Sequence, residues 1–201
     1  MAFYDFFANF YDASLEKLQL EPGMSVIDLP CGTGQSFAAL TRGIGPDGRL
    51  IGLDLSAGML RRAKERCERE GYQNVHLAAC DVQTLDRQTL AAAVGDIPRI
   101  DRLHVFLGMS VFPDMERAFT QLWSLLAPGG RCVLVDVHAE RLGLQGHAVN
   151  LLARADIRRR FWEPLERNAA RFERRDLPYR KEHGGQIMLA VGDKAPAPAD
   201  A

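Results

Sequence analysis

Gly32 and Gly34 end an apolar run, Val26-Ile27-Asp28-Leu29-Pro30-Cys31, and Asp54 ends a second, Leu50-Ile51-Gly52-Leu53, about 20 residues further on. Each residue type suits one part of a nucleotide-like ligand. Glycine lets backbone approach the ligand closely, and the first free N–H groups of the helix that begins at Gln35 face an anionic or polar group. A strand-end acid at this distance from a glycine loop is where a doubly wound α/β sheet takes the two hydroxyls of a ribose. Either feature alone is weak evidence, and the pair at this spacing is much stronger. The dinucleotide fingerprint G-x-G-x-x-G fits badly, because Phe37 stands at the place of its third glycine.

The elements that must position these residues alternate as such a sheet requires. Glu21-Pro22-Gly23 turns the chain into strand 1. A helix over Gln35 to Ile44 is stopped by the breaker Gly45-Pro46-Asp47-Gly48. Strand 2 runs from Arg49 to Leu53, and Ser56 caps a helix over Ala57 to Glu70 that Gly71 closes. Strand 3 is Asn74 to Ala79, a helix covers Thr84 to Val94, and strand 4 is Arg102 to Leu107. Pro113 to Leu126 is an amphipathic helix with Met115, Phe119, Leu122 and Leu126 on one face. Ala127-Pro128-Gly129-Gly130 turns into strand 5, Arg131 to Val137. Beyond His138 the pattern weakens. Leu151 to Phe161 and Pro164 to Ala170 read as helices, and Arg171 to Leu177 and Gln186 to Val191 as strands about a turn at His183-Gly184-Gly185. Residues 194–201 read as a disordered tail.

Composition sets the outer bounds. At 201 residues, 47% hydrophobic and 25% charged, the chain suits one globular domain with a sizeable core. A net charge of -1 gives no global argument for nucleic acid or a membrane. Cys31, Cys67, Cys80 and Cys132 lack metal-site or CxxC spacing and read as reduced thiols of a cytoplasmic protein. The opening residues lack the pattern of a signal peptide, and no apolar run reaches the length of a membrane span.

Asp28-Leu29-Pro30-Cys31-Gly32-Thr33-Gly34 resembles the first motif of the class I S-adenosylmethionine (SAM) methyltransferases. The likeness continues through Gly52-Leu53-Asp54-Leu55-Ser56, Gly58-Met59-Leu60, Ala79-Cys80-Asp81-Val82, Ile100-Asp101 and Leu126-Ala127-Pro128-Gly129-Gly130. From Asp101 to Phe119 the chain is similar to the ubiquinone/menaquinone C-methyltransferases. The resemblance covers roughly residues 3 to 138 well and the C-terminal third loosely. It implies an α/β fold with a doubly wound, mostly parallel, seven-stranded Rossmann-like sheet and an antiparallel C-terminal hairpin strand. That is a single domain over residues 1–193, with a lid helix over 1–20 and substrate-side helices over 139–170. SAM is the implied cofactor and S-adenosyl-L-homocysteine the product. Carried over residue by residue, the ribose falls to Asp54. The adenine falls to Leu55, Met59, Cys80, Asp81 and Val82. The methionine end falls to Asp28, to the loop of Pro30, Cys31, Gly32 and Gly34, and to carbonyls near Phe106 and Leu107. Ala8-Asn9-Phe10-Tyr11-Asp12 matches a segment whose tyrosine closes over SAM, which makes Tyr11 the lid residue. Pro30 departs from the usual glycine and offers no N–H, so hydrogen bonds to SAM are expected from later residues.

Plain structural readings stand beside these. Asp54 also suits a helix cap, Asp28 a brace for the loop, and Leu55 and Met59 ordinary packing. The aromatics Phe3, Phe6, Phe7, Phe10 and Tyr11 also suit a helix packed on the sheet. Methyl transfer from a sulfonium needs alignment more than covalent catalysis, and a base only where the acceptor must lose a proton. His138, at the carboxyl edge of strand 5, is the candidate base or acceptor contact and stands with Tyr11 as the catalytic pair. His147 is a second candidate, and His104, mid-strand, reads as structural. An acceptor enclosed by Tyr11, Met109, Ser110, His138, His147 and the segment Arg141 to Arg160 meets mainly apolar or aromatic groups. That suits a flat ring, quinone-like or polyketide-like, methylated at carbon or hydroxyl. An amine, including a phospholipid headgroup, and a SAM-binding protein that transfers nothing are the alternatives. The arginines from Arg154 to Lys181 form a solvated face or a rim for an anionic ligand. No [DN]PP[YF] follows strand 4, and Asp136 lacks an acidic partner there, so neither DNA, nucleic acid in general nor a metal is expected. Stable membrane insertion is not expected either, and the chain is read as a monomer or homodimer.

Overall fold

The computed structural model describes residues 2–97, 99–142, 146–147, 150–151, 154–178 and 185–198. Helix α1 (Ala2–Leu18) precedes β1 (Ser25–Asp28), α2 (Phe37–Ile44), β2 (Arg49–Asp54), α3 (Ala57–Glu70) and β3 (Val75–Ala79). After a 3-10 turn (Val82–Thr84) come α4 (Arg87–Val94), β4 (Ile100–Phe106), α5 (Met115–Leu125) and β5 (Leu126–His138). A last helix, α6 (Glu163–Asn168), leads to β6 (Arg171–Asp176) and β7 (Gln186–Asp193). The strands form one seven-stranded sheet in the order β3-β2-β1-β4-β5-β7-β6. β7 runs antiparallel to β5 and β6, and the pairs among β1 to β5 are parallel. The doubly wound sheet expected from the sequence is therefore the observed one. No helix of the described residues is long and apolar enough to cross a membrane.

Side chains alternate across each strand, so the sheet feeds two cores. Leu103, Val105, Cys132 and Leu134 pack on one face with Leu122 of α5 and Leu165 of α6. Val133 and Val135 pack on the other with Phe10 and Leu18 of α1 and Phe37, Leu40 and Ile44 of α2. Phe37 is fully buried, and its room is made by two glycines. A Cβ at Gly34 would lie 2.5 Å from Phe37 Cδ2, and one at Gly52 would lie 2.9 Å from Phe37 Cζ.

Alternate residues of β4 hold α1 at three levels. The Arg102 guanidinium donates to the carbonyls of Leu18 (2.6 Å) and Gln19 (3.0 Å), closing the helix C-terminus. His104 meets Ser14 at 3.0 Å. The Phe106 ring stacks on Tyr11 at 3.9 Å with the planes 10° apart.

Among the elements that differ from the sequence reading, β5 begins at Leu126, so that Ala127 to Gly130, expected as a turn before Arg131, lie within the strand. α2 begins at Phe37 rather than Gln35, because residues 32–36 continue the glycine loop as turns. The helix expected over Thr84 to Val94 divides: Asp81 caps the 3-10 turn, and Asp86 with Thr89 forms a capping box that starts α4 anew. The helix expected over Leu151 to Phe161 is absent from 154–161, which run as turns and bends. Long-range backbone bonds replace the helical ones there: Asp156 N–H donates to the Ser110 carbonyl (2.8 Å), and Ala139 N–H donates to that of Ile157 (2.8 Å). Phe161 and Trp162, 0% and 4% exposed, anchor this path in the core. The turn at His183-Gly184 lies outside the described residues.

Replacing Phe37 by Ala removes a fully buried ring from between Gly34 and Gly52. The expected cost is about 3–5 kcal/mol of stability, the range for a phenyl ring taken out of a core. Urea unfolding measures it, and a loss below about 1 kcal/mol would mean that the loop collapses into the space.

Candidate functional site

The glycine loop and Asp54 meet at the carboxyl ends of β1 and β2. Cys31 N–H donates to the Leu53 carbonyl (2.8 Å), and Gly32 N–H donates to Asp54 Oδ2 (2.9 Å). The other carboxylate oxygen, Oδ1, accepts from Ser56 N–H at 2.8 Å. Asp54 thus ties the loop after β1 to the start of α3, and each oxygen keeps lone-pair capacity for a further donor. The two glycines do different work. Gly34, at φ 74°, makes way for Phe37, whereas a Cβ on Gly32, at φ 55°, would meet nothing within 4 Å. Gly32 is therefore the position that leaves space above the loop. The N–H groups of Cys31, Gly32 and Gly34 all bond within the protein.

Beside Asp54 stand two large apolar side chains exposed to solvent, Leu55 at 73% and Met59 at 43%. Ser56 caps the helix that carries Met59, accepting from its N–H. β3 lies next to β2 and delivers Cys80, Asp81 and Val82 to the same edge. Cys80 N–H bonds the Asp54 carbonyl at 3.0 Å. Asp81 is exposed and Val82 is buried beneath it. Burial, and Asp81 close by, push the Cys80 thiol up to about 11, so it stays protonated at neutral pH. Two acids and two uncovered apolar side chains thus lie on one edge of the sheet.

On the other side of the loop, β1 and β4 pair with Asp28 opposite His104. Asp28 is 2% exposed, with Oδ1 2.7 Å from His104 Nδ1 and Oδ2 accepting from the Ser36 hydroxyl. Both oxygens are bound inside the protein, and the geometry is that of a brace for the loop. The Cys31 thiol next to it is pushed far up, by burial first and then by Asp28 and Asp54. Pro30 packs against the β4 end, where a Cβ on Gly108 would lie 2.5 Å from its Cδ. Leu107 takes φ 55°, a conformation rare for leucine, directly after Phe106 and its stack on Tyr11.

The acceptor-side residues named from the sequence do not come together. Met109 is fully buried in the core. Ser110 is 6% exposed, and its N–H and hydroxyl donate to Asp136 Oδ2 and Oδ1, each at 2.8 Å. Neither lines an open space, because the turn after β4 folds inward onto Asp136. His138 follows Asp136 by two residues and so shares its face of the sheet, opposite the Tyr11–Phe106 stack. Its Nδ1 lies 3.1 Å from the Arg159 carbonyl, and its ring meets the Trp162 edge at 4.8 Å. A carbonyl only accepts, so Nδ1 carries a hydrogen, and in the neutral ring the lone pair is then on Nε2. His138 borders a groove of about 500 Å³ with Trp162, Arg160, Arg174 and Gln186. His147 is exposed in a short helical stretch. Ser14 and Ser36 were missed by sequence reasoning. Among the described residues no cluster of three or more His, Cys, Asp or Glu side chains is placed to hold a metal ion.

The family described as methyltransferase domain matches residues 20–162. A demethylmenaquinone methyltransferase of Lactococcus lactis is 29% identical over 129 residues, 64% of this chain and 48% of that one. A 2-phytyl-1,4-naphtoquinone methyltransferase of Thermosynechococcus vestitus is 30% identical over 124 residues, 61% of this chain and 50% of that one. The chain spans about half the length of these two curated relatives, and about a third of a Streptomyces fradiae transposon protein that it matches at 32% identity over 63% of its own length. Geranyl diphosphate C-methyltransferase from Streptomyces coelicolor A3(2), solved with Mg2+, geranyl diphosphate and S-adenosyl-L-homocysteine, has a TM-score of 0.72 and 16% identity, over 94% of this chain and 79% of that one. At that identity the likeness speaks for the fold.

Burial raises the Asp136 carboxyl from 3.8 to about 6, outweighing the donors from Ser110 and Val137. The folded chain therefore holds this proton more tightly than the unfolded one. The stabilisation is complete below about pH 4 and is lost as pH rises through about 6. Asp136→Asn has no such titration. Urea unfolding between about pH 4 and 7 should show wild-type stability falling by roughly 2–3 kcal/mol relative to the variant. Parallel profiles would mean that the carboxylate is ionised throughout.

Proposed function

The chain belongs to the methyltransferase-domain family, and from that premise we propose that it transfers a methyl group from SAM to a small organic acceptor, a quinone-like or polyketide-like ring carbon or hydroxyl. The observation that carries this reading is the edge formed by Gly32, Asp54, Leu55, Met59 and Asp81. Open space above one glycine, an acid with free lone pairs and two uncovered apolar side chains fit an adenosine. In this reading Asp54 accepts from the ribose hydroxyls. Leu55 and Met59 cover the adenine, and Asp81 and the Val82 N–H meet its edge. The main-chain carbonyls at Phe106 and Leu107 face the ammonium of the methionine end. Asp28 keeps the loop in place, and Tyr11 on Phe106 closes the site from α1.

Bound there, SAM supplies a methyl group on a sulfonium whose departure leaves a neutral thioether. The chain's own task is to hold donor and acceptor in line and keep water out. Where the acceptor must lose a proton, His138 Nε2 is the base, with the tautomer fixed by the Arg159 carbonyl. Support for a ring acceptor comes from the two relatives named for quinone substrates and from the apolar character of Tyr11, Phe106 and Leu107.

Asp54→Ala should weaken SAM by about 1.5–3 kcal/mol, the range for a hydrogen bond to a charged group. Calorimetry reads it, and unchanged affinity in a folded variant would remove Asp54 from the site. His138→Ala should lower kcat by roughly 10²–10⁴-fold on a protonated acceptor while SAM affinity holds. Turnover is followed as S-adenosylhomocysteine released with a panel of hydroquinones and phenols. Normal turnover in the variant would leave alignment alone to account for the rate.

A further inference from the structure

Ser14, His104, Asp28 and Ser36 form a buried polar chain from α1, through β4 and β1, to the turn before α2. Each is 4% exposed or less. Hydrogen-bond chemistry fixes where the protons lie. The Ser14 hydroxyl has one hydrogen and donates it to the Tyr11 carbonyl at 2.7 Å, since a carbonyl only accepts. The 3.0 Å contact between Ser14 Oγ and His104 Nε2 therefore takes its hydrogen from Nε2. The 2.7 Å contact between Nδ1 and Asp28 Oδ1 needs a second hydrogen. That one lies between Nδ1 and Oδ1 and joins the ring to the carboxyl group whichever of the two carries it. Asp28 Oδ2 accepts from Ser36 and supplies none.

We propose that His104 is a positioning residue: its Nδ1 side holds Asp28 under the glycine loop, and its Nε2–H holds α1 on β4, so the settings of loop and helix are coupled. The groups that meet the ring are Asp28 from β1, Ser14 from α1 and Phe106 from its own strand, at 6.1 Å between ring centres. Val133 and Val135 from β5 are apolar. The Cys31 thiol beside Asp28 is kept protonated by burial and by the two carboxylates, so it adds no charge. Without the ring, a buried carboxyl group would lose its partner, the costly arrangement. The coupling rests on reading the loop as the SAM site. By linkage, whatever holds α1 then favours SAM by the same factor that SAM favours the docked α1.

One measurement on the full chain decides it: hydrogen exchange of the α1 amides is followed with and without SAM. SAM should slow exchange about tenfold in wild type and in Ser14→Thr, which keeps the hydroxyl, and by less than about threefold in Ser14→Ala. Full protection in Ser14→Ala would overturn the coupling. His104→Leu should behave as Ser14→Ala does, and Ser14→Ala alone carries the test if His104→Leu does not fold. Absence of SAM binding by wild type would overturn the cofactor reading and the coupling together, whereas SAM binding with full protection in Ser14→Ala overturns the coupling alone.

Discussion

A carboxyl group that is 2% exposed must find its hydrogen bonds where it stands, and Asp28 stands at the end of β1, under the loop. The pairing of β1 with β4 answers this by setting His104 directly opposite. Ser36 takes the other oxygen and so fixes the turn that leads into α2. Ser14 takes the other ring nitrogen and so fixes α1. The two residues that flank His104 on the same face, Arg102 and Phe106, then meet α1 one turn below and one turn above. A helix rises about 5.4 Å per turn and alternate strand residues are about 6.6 Å apart, so the two repeats stay roughly in step over this short stretch.

The glycine loop shows how one motif divides its work. Gly32 leaves space outside the protein, and Gly34 leaves space for Phe37 inside it. The large ring at the place of a dinucleotide-type third glycine is therefore no gap in the pattern. In the dinucleotide fold that glycine lets a helix lie close to a strand. Here Gly34 in the loop and Gly52 on β2 leave the room that the buried Phe37 ring fills. Asp54 then reaches across the same corner to Gly32, so loop and second strand are set by one carboxylate.

Most of this was legible in the sequence because it is local. Apolar runs, the Gly-Pro-Asp-Gly breaker and the caps Ser56 and Gly71 place most of the sheet without reference to distant residues. The reading failed where long-range bonds override local preference. The run Arg158-Arg159-Arg160 has good helix propensity. Yet the Arg159 guanidinium donates to the carbonyls of Phe112 and Pro113, and Asp156 N–H to that of Ser110. His104 was read as structural from its mid-strand place. Its partners were accessible only through register: once Asp28 and His104 are placed side by side, the buried pair follows, but Ser14 comes from a helix whose docking no local pattern dictates.

The same difference separates the two halves of the candidate site. The cofactor edge is built from strand ends and the loops that follow them directly, and sequence order is enough to assemble it. The acceptor side is built from opposite faces of the sheet. β4 sends Phe106 toward α1, while β5 sends Asp136 and His138 toward α5 and the segment before α6. Because a strand alternates, no residue of β5 can show His138 and Val137 to the same ligand face. An acceptor that touches both Tyr11 and His138 must therefore lie over the carboxyl edge, across the ends of β4 and β5. The non-helical path through residues 154–161 matters for this reason. It brings the Arg159 carbonyl to Nδ1, which turns the lone pair onto Nε2, and it sets Trp162 against the ring. What looked from the sequence like a weak helix is the segment that decides how His138 is presented.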